Sequence, residues 1–244
     1  MKNLFGYDHV LPVPSRIPPG MVSIYVTDTN EVAARAKAAG WQQAVVIDVG
    51  NPQTPQGRID AVTKFSCYPE LYLDKTIQHV FLLDANVTVL DSNYFEFVND
   101  AIASDKTLYV TSGWYAGDKN NLTKELGRSV VQSRWKQWHT LMTERTTFYL
   151  ADLKESGFAE EPPVVSAKYI GWNLQNKALN PWVADRLHSE WKIHIQGNII
   201  LSYICCRYTD FVFHYLNFKN DGRVTRHRDG SLVMNVPGRD KLSQ

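Results

Sequence analysis

Three short apolar runs limit the fold most tightly, because each ends on polar residues and the segments between them have the composition of helices. "MVSIYV" (21–26) gives way to Thr27-Asp28-Thr29-Asn30, "QQAVVI" (42–47) to Asp48, and "HVFLL" (79–83) to Asp84-Ala85-Asn86. Runs this brief, bounded by turn signals, suit strands buried on both faces. "NEVAARAKAAGW" between the first two predicts a helix, with Asn30 as N-cap, Glu31 in the first turn and Gly40 at the C-terminal end. "GRIDAVTKFSCYPELYL" predicts a second helix ahead of the third run. Strand, helix, strand, helix, strand at this spacing predicts an α/β fold, with a mostly parallel central sheet flanked by helices in a single domain.

Downstream, "DSNYFEFVNDAIAS" predicts a short helix, "TLYVTSGW" a strand, and residues 120–158 two helices. "PPVVSAKYIGWNL" reads as a strand, "NPWVADRLHSEWKIH" as a helix, "NIILSYICCRY" as a buried helix and "FVFHYLNF" as a last strand. The proline-rich residues 1–20 are expected to form an N-terminal arm, 21–218 one folded unit, and 219–244 a basic C-terminal tail. Of the charge run Lys219, Arg223, Arg226, His227 and Arg228, the ordinary reading is a solvated tail; a phosphate-facing loop is the less common one.

Hydrophobic content of 44% and charged content of 21% are those of a water-soluble globular chain. No stretch approaches the ~18 apolar residues that span a bilayer, and the first twenty residues lack the layout of a secretory signal. Three cysteines, Cys67 and the adjacent Cys205 and Cys206, form neither a disulfide framework nor a CxxC pair. Buried thiols in a reducing compartment are expected, hence a cytoplasmic protein (host cytoplasm if viral) with no membrane partner. A net charge of +1 neither demands nor excludes a polyanionic partner.

Open parallel sheets take ligands beyond the carboxyl ends of their strands. Asp48 reads as an ordinary turn cap, but Asp84 lies between apolar neighbours, where an isolated carboxylate is costly. It must be paired, hydrogen-bonded or bound to a metal, and a turn satisfied by backbone amides is the plain alternative. The Asp84-x-Asn86 arrangement resembles the Asp-x-Asp motif of GT-A glycosyltransferases. In that motif carboxylates at a strand end hold a hard divalent cation against the diphosphate of a sugar nucleotide, and the cation takes up charge on the departing group. Asn86 offers a neutral carbonyl oxygen and no charge, so a cation here would be held more weakly.

The wider order of motifs resembles a GT-A-like glycosyltransferase domain family, formerly a domain of unknown function, of bacteria, viruses and plant mucilage-related proteins. "YVTD" (25–28), Gly40-Trp41, Arg58 with Lys64, and "HVFLLDANV" match its early pieces in order. "TTFYLADLKESGF", "PPVVSAKYIGWNL" and "HSEWKIHIQGN" match the later ones more loosely, and the resemblance covers roughly residues 21–205. It implies that Thr27 and Asp28 face the base or ribose of the donor. Arg58 and Lys64 would neutralise the diphosphate, with the basic tail, Arg226 included, closing over the donor site. Asp84 and Asn86 would approach the ribose and a divalent cation (Mn²⁺ or Mg²⁺), with His194 as a candidate third metal ligand. The late motif of the family is Arg-Asp-Gln; Gln196-Gly197-Asn198 stands there, so its acid is missing. Glu190, His194 or Asp185 is then the candidate for acid–base work beside Asp84 and Gln196, or no residue takes that role.

Each of these residues has a plainer reading. His194 suits a hydrogen-bonded core histidine. Trp172, Trp182 and Trp191 suit core helix packing as well as a sugar pocket. Trp135, Trp138 and Leu141 at helical spacing suit a core stripe better than a glycan or nucleic-acid surface, and Glu125, Arg128 and Glu144 suit surface charges. The expected function is transfer of a sugar from a nucleotide sugar, a UDP-sugar by the resemblance, to a hydroxyl acceptor. That acceptor is a glycan, with a hydroxylated base in DNA such as 5-hydroxymethylcytosine ranked second. The alternatives are a nucleotidyltransferase, against which "YVTDTNEVAARAK" lacks a glycine-rich loop, and a non-catalytic nucleotide- or glycan-binding module of the same fold.

Overall fold

The structure is a computed structural model that describes residues 2–4, 17, 19–50, 54–84, 91–112, 121–131, 133–158, 164–215, 223–226 and 232–235. The chain forms two compact units. The first comprises Met1–Gly50, Leu82–Phe97 and Phe218–Gln244; the second comprises Asn51–Phe81 and Val98–Asn217.

In the first unit, β1 (Lys2–Asn3), β2 (Ile24–Thr27) and β3 (Gln43–Val46) make a parallel sheet in the order β1-β2-β3. Lys2 pairs with Val26 and Asn3 with Thr27; Thr27 in turn pairs with Val46. Helix α1 (Asn30–Ala38) connects β2 to β3. Its N-cap is Thr29 rather than Asn30, the Thr29 hydroxyl accepting from the Val32 N–H at 3.3 Å. The extended backbone of Thr29 is what a capping residue requires, and Asn30 is already helical. Gly40 sits just past the helix at φ +97°, a left-handed turn that glycine adopts without strain. Tyr25, Ala36 and Trp41 form the core here, the two rings meeting edge to face at 5.2 Å.

Strand β4 (His79–Leu83) begins in the second unit and ends in the first, and helix α3 (Asp91–Ala103) makes the opposite passage. The four-stranded sheet runs β4-β6-β5-β7, with β5 (Leu108–Ser112), β6 (Val165–Asn173) and β7 (Val212–Tyr215). Strand β5 is parallel to β7 but antiparallel to β6. The α/β expectation holds, but with two sheets in place of one central sheet, and β6 makes the second of them mixed. The physical reason is that apolar runs give strand identity and burial, whereas direction depends on the connections between strands.

Around this sheet lie α2 (Pro55–Cys67), α4 (Leu122–Val130), α5 (His139–Glu155), α6 (Leu174–Leu179), α7 (Pro181–His194) and α8 (Gly197–Arg207). Helix α8 is apolar nearly all round and buried from Ile199 to Cys205, as a central helix must be. Trp172 is fully buried on β6, its indole N–H donating to the Ser66 carbonyl at 2.8 Å. Trp191 is also core, whereas Trp182 lies at the surface against the rings of Tyr208 and Phe211. Of the expected core stripe, Leu141 is 37% exposed and Trp138 half-buried, while the side chain of Trp135 lies outside the described residues. Glu125, read as a surface charge, is buried instead: it accepts from the Asn198 amide at 2.9 Å and pairs with Arg128. The basic tail contains a hairpin of β8 (Arg223–Arg226) and β9 (Leu232–Asn235). All three cysteines are free, Cys67 and Cys205 buried. Among the described residues no helix is long and apolar enough to cross a membrane.

Candidate functional site

Polar groups collect at the carboxyl edge of the parallel strands in the first unit. Strand β1 pairs with β2 on one side, and on the other Lys2 forms a parallel bridge with Asp84. Asp84, Lys2, Val26 and Val45 thus lie in one row across adjacent strands, with Asn3, Thr27 and Val46 in the next. Asp28 follows directly after the last residue of β2. Parallel pairing brings these chain-distant residues to one edge, because every strand there runs out in the same direction.

The carboxylate of Asp84 has a partner. Lys2 Nζ lies 3.0 Å from Asp84 Oδ1, with the lysine side chain 9% exposed and the aspartate 32% exposed. This answers what stabilises an acid at the end of a buried strand: an ammonium delivered by the neighbouring strand, itself nearly withdrawn from water. Thr27 is fully buried and its hydroxyl accepts from the Thr29 N–H at 3.4 Å, closing the turn into α1. Of the Thr27-Asp28 pair, then, only Asp28 retains partial exposure. Asp48 is a turn cap, accepting from the Gly50 N–H at 2.7 Å. Asn86 lies outside the described residues, and so does the side chain of Arg226.

The remaining predicted residues belong to the second unit. Arg58 and Lys64 are both exposed on α2. Six positions apart on one helix, they point about 120° away from each other around its axis, so they do not make one grip. Glu190 is a buried carboxylate on α7, 2% exposed. It accepts from the Tyr149 hydroxyl at 2.7 Å and from Arg186 at 2.7 Å, and it also pairs with Arg145. Burial, with Glu190 beside it, pushes the Tyr149 phenol well above its ordinary pKa. Such a carboxylate is fixed by three donors, and its geometry is that of a structural anchor between α5 and α7. One pair of this cluster is visible in the residue spacing, since Arg186 and Glu190 are one helical turn apart.

His194 is fully buried at the end of α7. Its Nε2 is 2.8 Å from the Thr146 hydroxyl, and its Nδ1 is 3.3 Å from the Gln196 N–H. Thr146 donates its own proton to the Met142 carbonyl, so the histidine donates from Nε2 and accepts at Nδ1. Burial pulls its pKa down to about 4, so the ring is neutral near pH 7. The one lone pair of the neutral ring already accepts a hydrogen bond, which corrects the expectation of His194 as a metal ligand to a core histidine. Gln196 donates from Nε2 to Ser129 at 2.6 Å, and Asn198 accepts from the Ala167 N–H at 2.9 Å. The Gln196-Gly197-Asn198 segment therefore joins α4, β6 and α8. Asp185 accepts from the Tyr68 hydroxyl at 2.7 Å.

A divalent cation needs several oxygen or imidazole ligands converging on one point. Among the described residues no three His, Cys, Asp or Glu side chains come together in that way. Of the two candidate ligands within them, Asp84 already faces an ammonium and His194 is hydrogen-bonded in the core. The described residues do not fit a resident metal.

Sequence reasoning missed Lys2, which falls in the stretch taken for an arm. Its partner is 82 positions away (84 − 2), and no local pattern announces a pairing of that range. The available signal was the unpaired Asp84 itself, which called for a cation.

No protein-family model matches the chain, and no curated protein does. Among solved structures the chain is similar to mouse xyloside xylosyltransferase 1 in its apo form, with 11% identity, a TM-score of 0.44, and 78% of this chain and 70% of that one covered. A likeness at this level carries no argument about activity.

Proposed function

We propose that the chain is a glycosyltransferase of the GT-A type, binding a nucleotide sugar at the carboxyl edge of β1, β2 and β3 and transferring the sugar to a hydroxyl acceptor. The observation that carries the reading is the row formed by Asp84 and Lys2 beside Thr27 and Asp28, at the strand ends where open parallel sheets take nucleotides. The order of sequence motifs supports the same reading: "YVTD" and the Asp84 that ends "HVFLLD" flank β1 at this edge, one on each side. Asp28, partly exposed, is suited to hydrogen-bonding ribose hydroxyls, and Asp84 presents a carboxylate whose charge is balanced by Lys2. A UDP-sugar is the proposed donor and a glycan hydroxyl the proposed acceptor.

A second reading is a nucleotide- or glycan-binding module without catalysis. The observation favouring it is that Glu190 and His194, the acid–base candidates, are both fixed in the core of the second unit. Titration calorimetry with UDP, UDP-glucose and ADP on the wild type and Asp28→Asn tests the shared premise. Uridine nucleotide binding that weakens tenfold or more in the variant is expected. Equal weak binding of all three nucleotides, unchanged in the variant, contradicts both readings.

A further inference from the structure

The disagreement between the Asp-x-Asn motif and the surroundings of its acid has a specific resolution. An acid ending the run Val80-Phe81-Leu82-Leu83 needs a counter-charge, and in metal-using sites of this kind the counter-charge is a divalent cation. Here β1 lies in parallel register beside that acid and carries an ammonium to 3.0 Å from Asp84 Oδ1. Lys2 is nearly withdrawn from water, so its ammonium depends on the carboxylate beside it, whereas Asp84 keeps partial access to solvent. A divalent cation bound to this carboxylate would sit within a few ångströms of the Lys2 ammonium, which repels it and already occupies Oδ1. In sequence, the second position of the motif is an amide, Asn86, rather than a second acid.

We propose that Lys2 is the resident cation of this site: its ammonium neutralises Asp84 and excludes a divalent metal from the carboxylate, so that nucleotide-sugar binding at this edge is independent of metal. The last clause rests on the glycosyltransferase reading; the exclusion of metal does not. In that role Lys2 is a positioning residue, holding Asp84 in one orientation toward the ligand.

Mn²⁺ alone is the probe, titrated into the full chain and followed by the loss of the free-ion electron paramagnetic resonance signal. Wild type, Asp84→Asn, Lys2→Met and the double variant are compared, with circular dichroism confirming the fold of each. Wild type and Asp84→Asn are expected to bind Mn²⁺ alike. Lys2→Met is expected to gain a site at least tenfold tighter, which disappears in the double variant. A wild type whose Mn²⁺ site is lost in Asp84→Asn overturns the proposal, and that comparison does not depend on Lys2→Met folding. The titration contains no nucleotide, so its failure is separate from failure of the glycosyltransferase reading, which UDP binding in EDTA measures. UDP binding by wild type that is unchanged by EDTA supports metal-independent recognition; UDP binding that EDTA abolishes overturns it.

Discussion

At the scale of single residues, the molecule separates charges that hold the fold from charges available to a ligand. Glu190 belongs to the first kind, because three donors converge on a carboxylate with almost no access to water. Glu190→Gln is expected to lower stability by roughly 2–4 kcal/mol, since two guanidinium groups lose their counter-charge and Tyr149 keeps only a neutral acceptor. Urea denaturation measures this, and unchanged stability with lost activity would instead place Glu190 at the chemistry. His194 gives the fold a pH dependence of calculable sign. Its folded pKa, about 4, lies below the ordinary value of 6.5, so the unfolded chain binds more protons between them. The stability it contributes is complete above about pH 6.5 and is lost as pH falls toward 4. Between pH 7.5 and 5 the loss from this group is roughly 2 kcal/mol. Denaturation at both values should show it, with a smaller difference in His194→Gln; an unaltered difference would contradict the assignment of a buried neutral ring. Burial also lowers His79 and His188, so part of the slope is expected to remain in that variant.

At the scale of elements, close approach decides more than propensity. Gly197 opens α8 where a Cβ would meet the Trp191 ring at 2.5 Å and Ala167 at 2.9 Å. Gly197→Ala should therefore destabilise the protein by about 1–3 kcal/mol, although alanine is the better helix former. Thermal denaturation checks the sign, and a stabilised variant would show that Trp191 yields freely. Gly171 on β6 is similar, its open side taken by Phe81 and Tyr109, whose rings stack at 5.5 Å. The elements themselves were legible in the sequence wherever local pattern determines them. The runs ending at Thr27, Asp48 and Asp84, the helix over 181–194 and the buried helix after Gly197 all correspond to elements of the structure. What was not legible depends on partners far along the chain. The antiparallel course of β6 follows from the path between strands, and β1 is two residues that become a strand only beside Val26 and Thr27. Glu125 resembled any helical surface acid until Asn198, 73 positions on, came to lie beside it.

At the scale of the whole molecule, the candidate site was half legible. Asp84 stood out because its neighbours are apolar, and Asp28 because it follows a buried strand; both lie at the parallel edge of the first unit. Lys2 was invisible, and Glu190 and His194 looked reactive only because a sequence does not reveal what surrounds a side chain. The central claim is that this edge activates a nucleotide sugar through residues including Asp84. The most direct test is UDP release from a panel of UDP-sugars, in Mn²⁺ and in EDTA, by wild type and Asp84→Ala. Slow hydrolysis of one donor by the wild type, at similar rates in both conditions and reduced at least a hundredfold in the variant, is the predicted result. Turnover of the donor by Asp84→Ala at the wild-type rate, or no release from any UDP-sugar by the wild type, would contradict the claim.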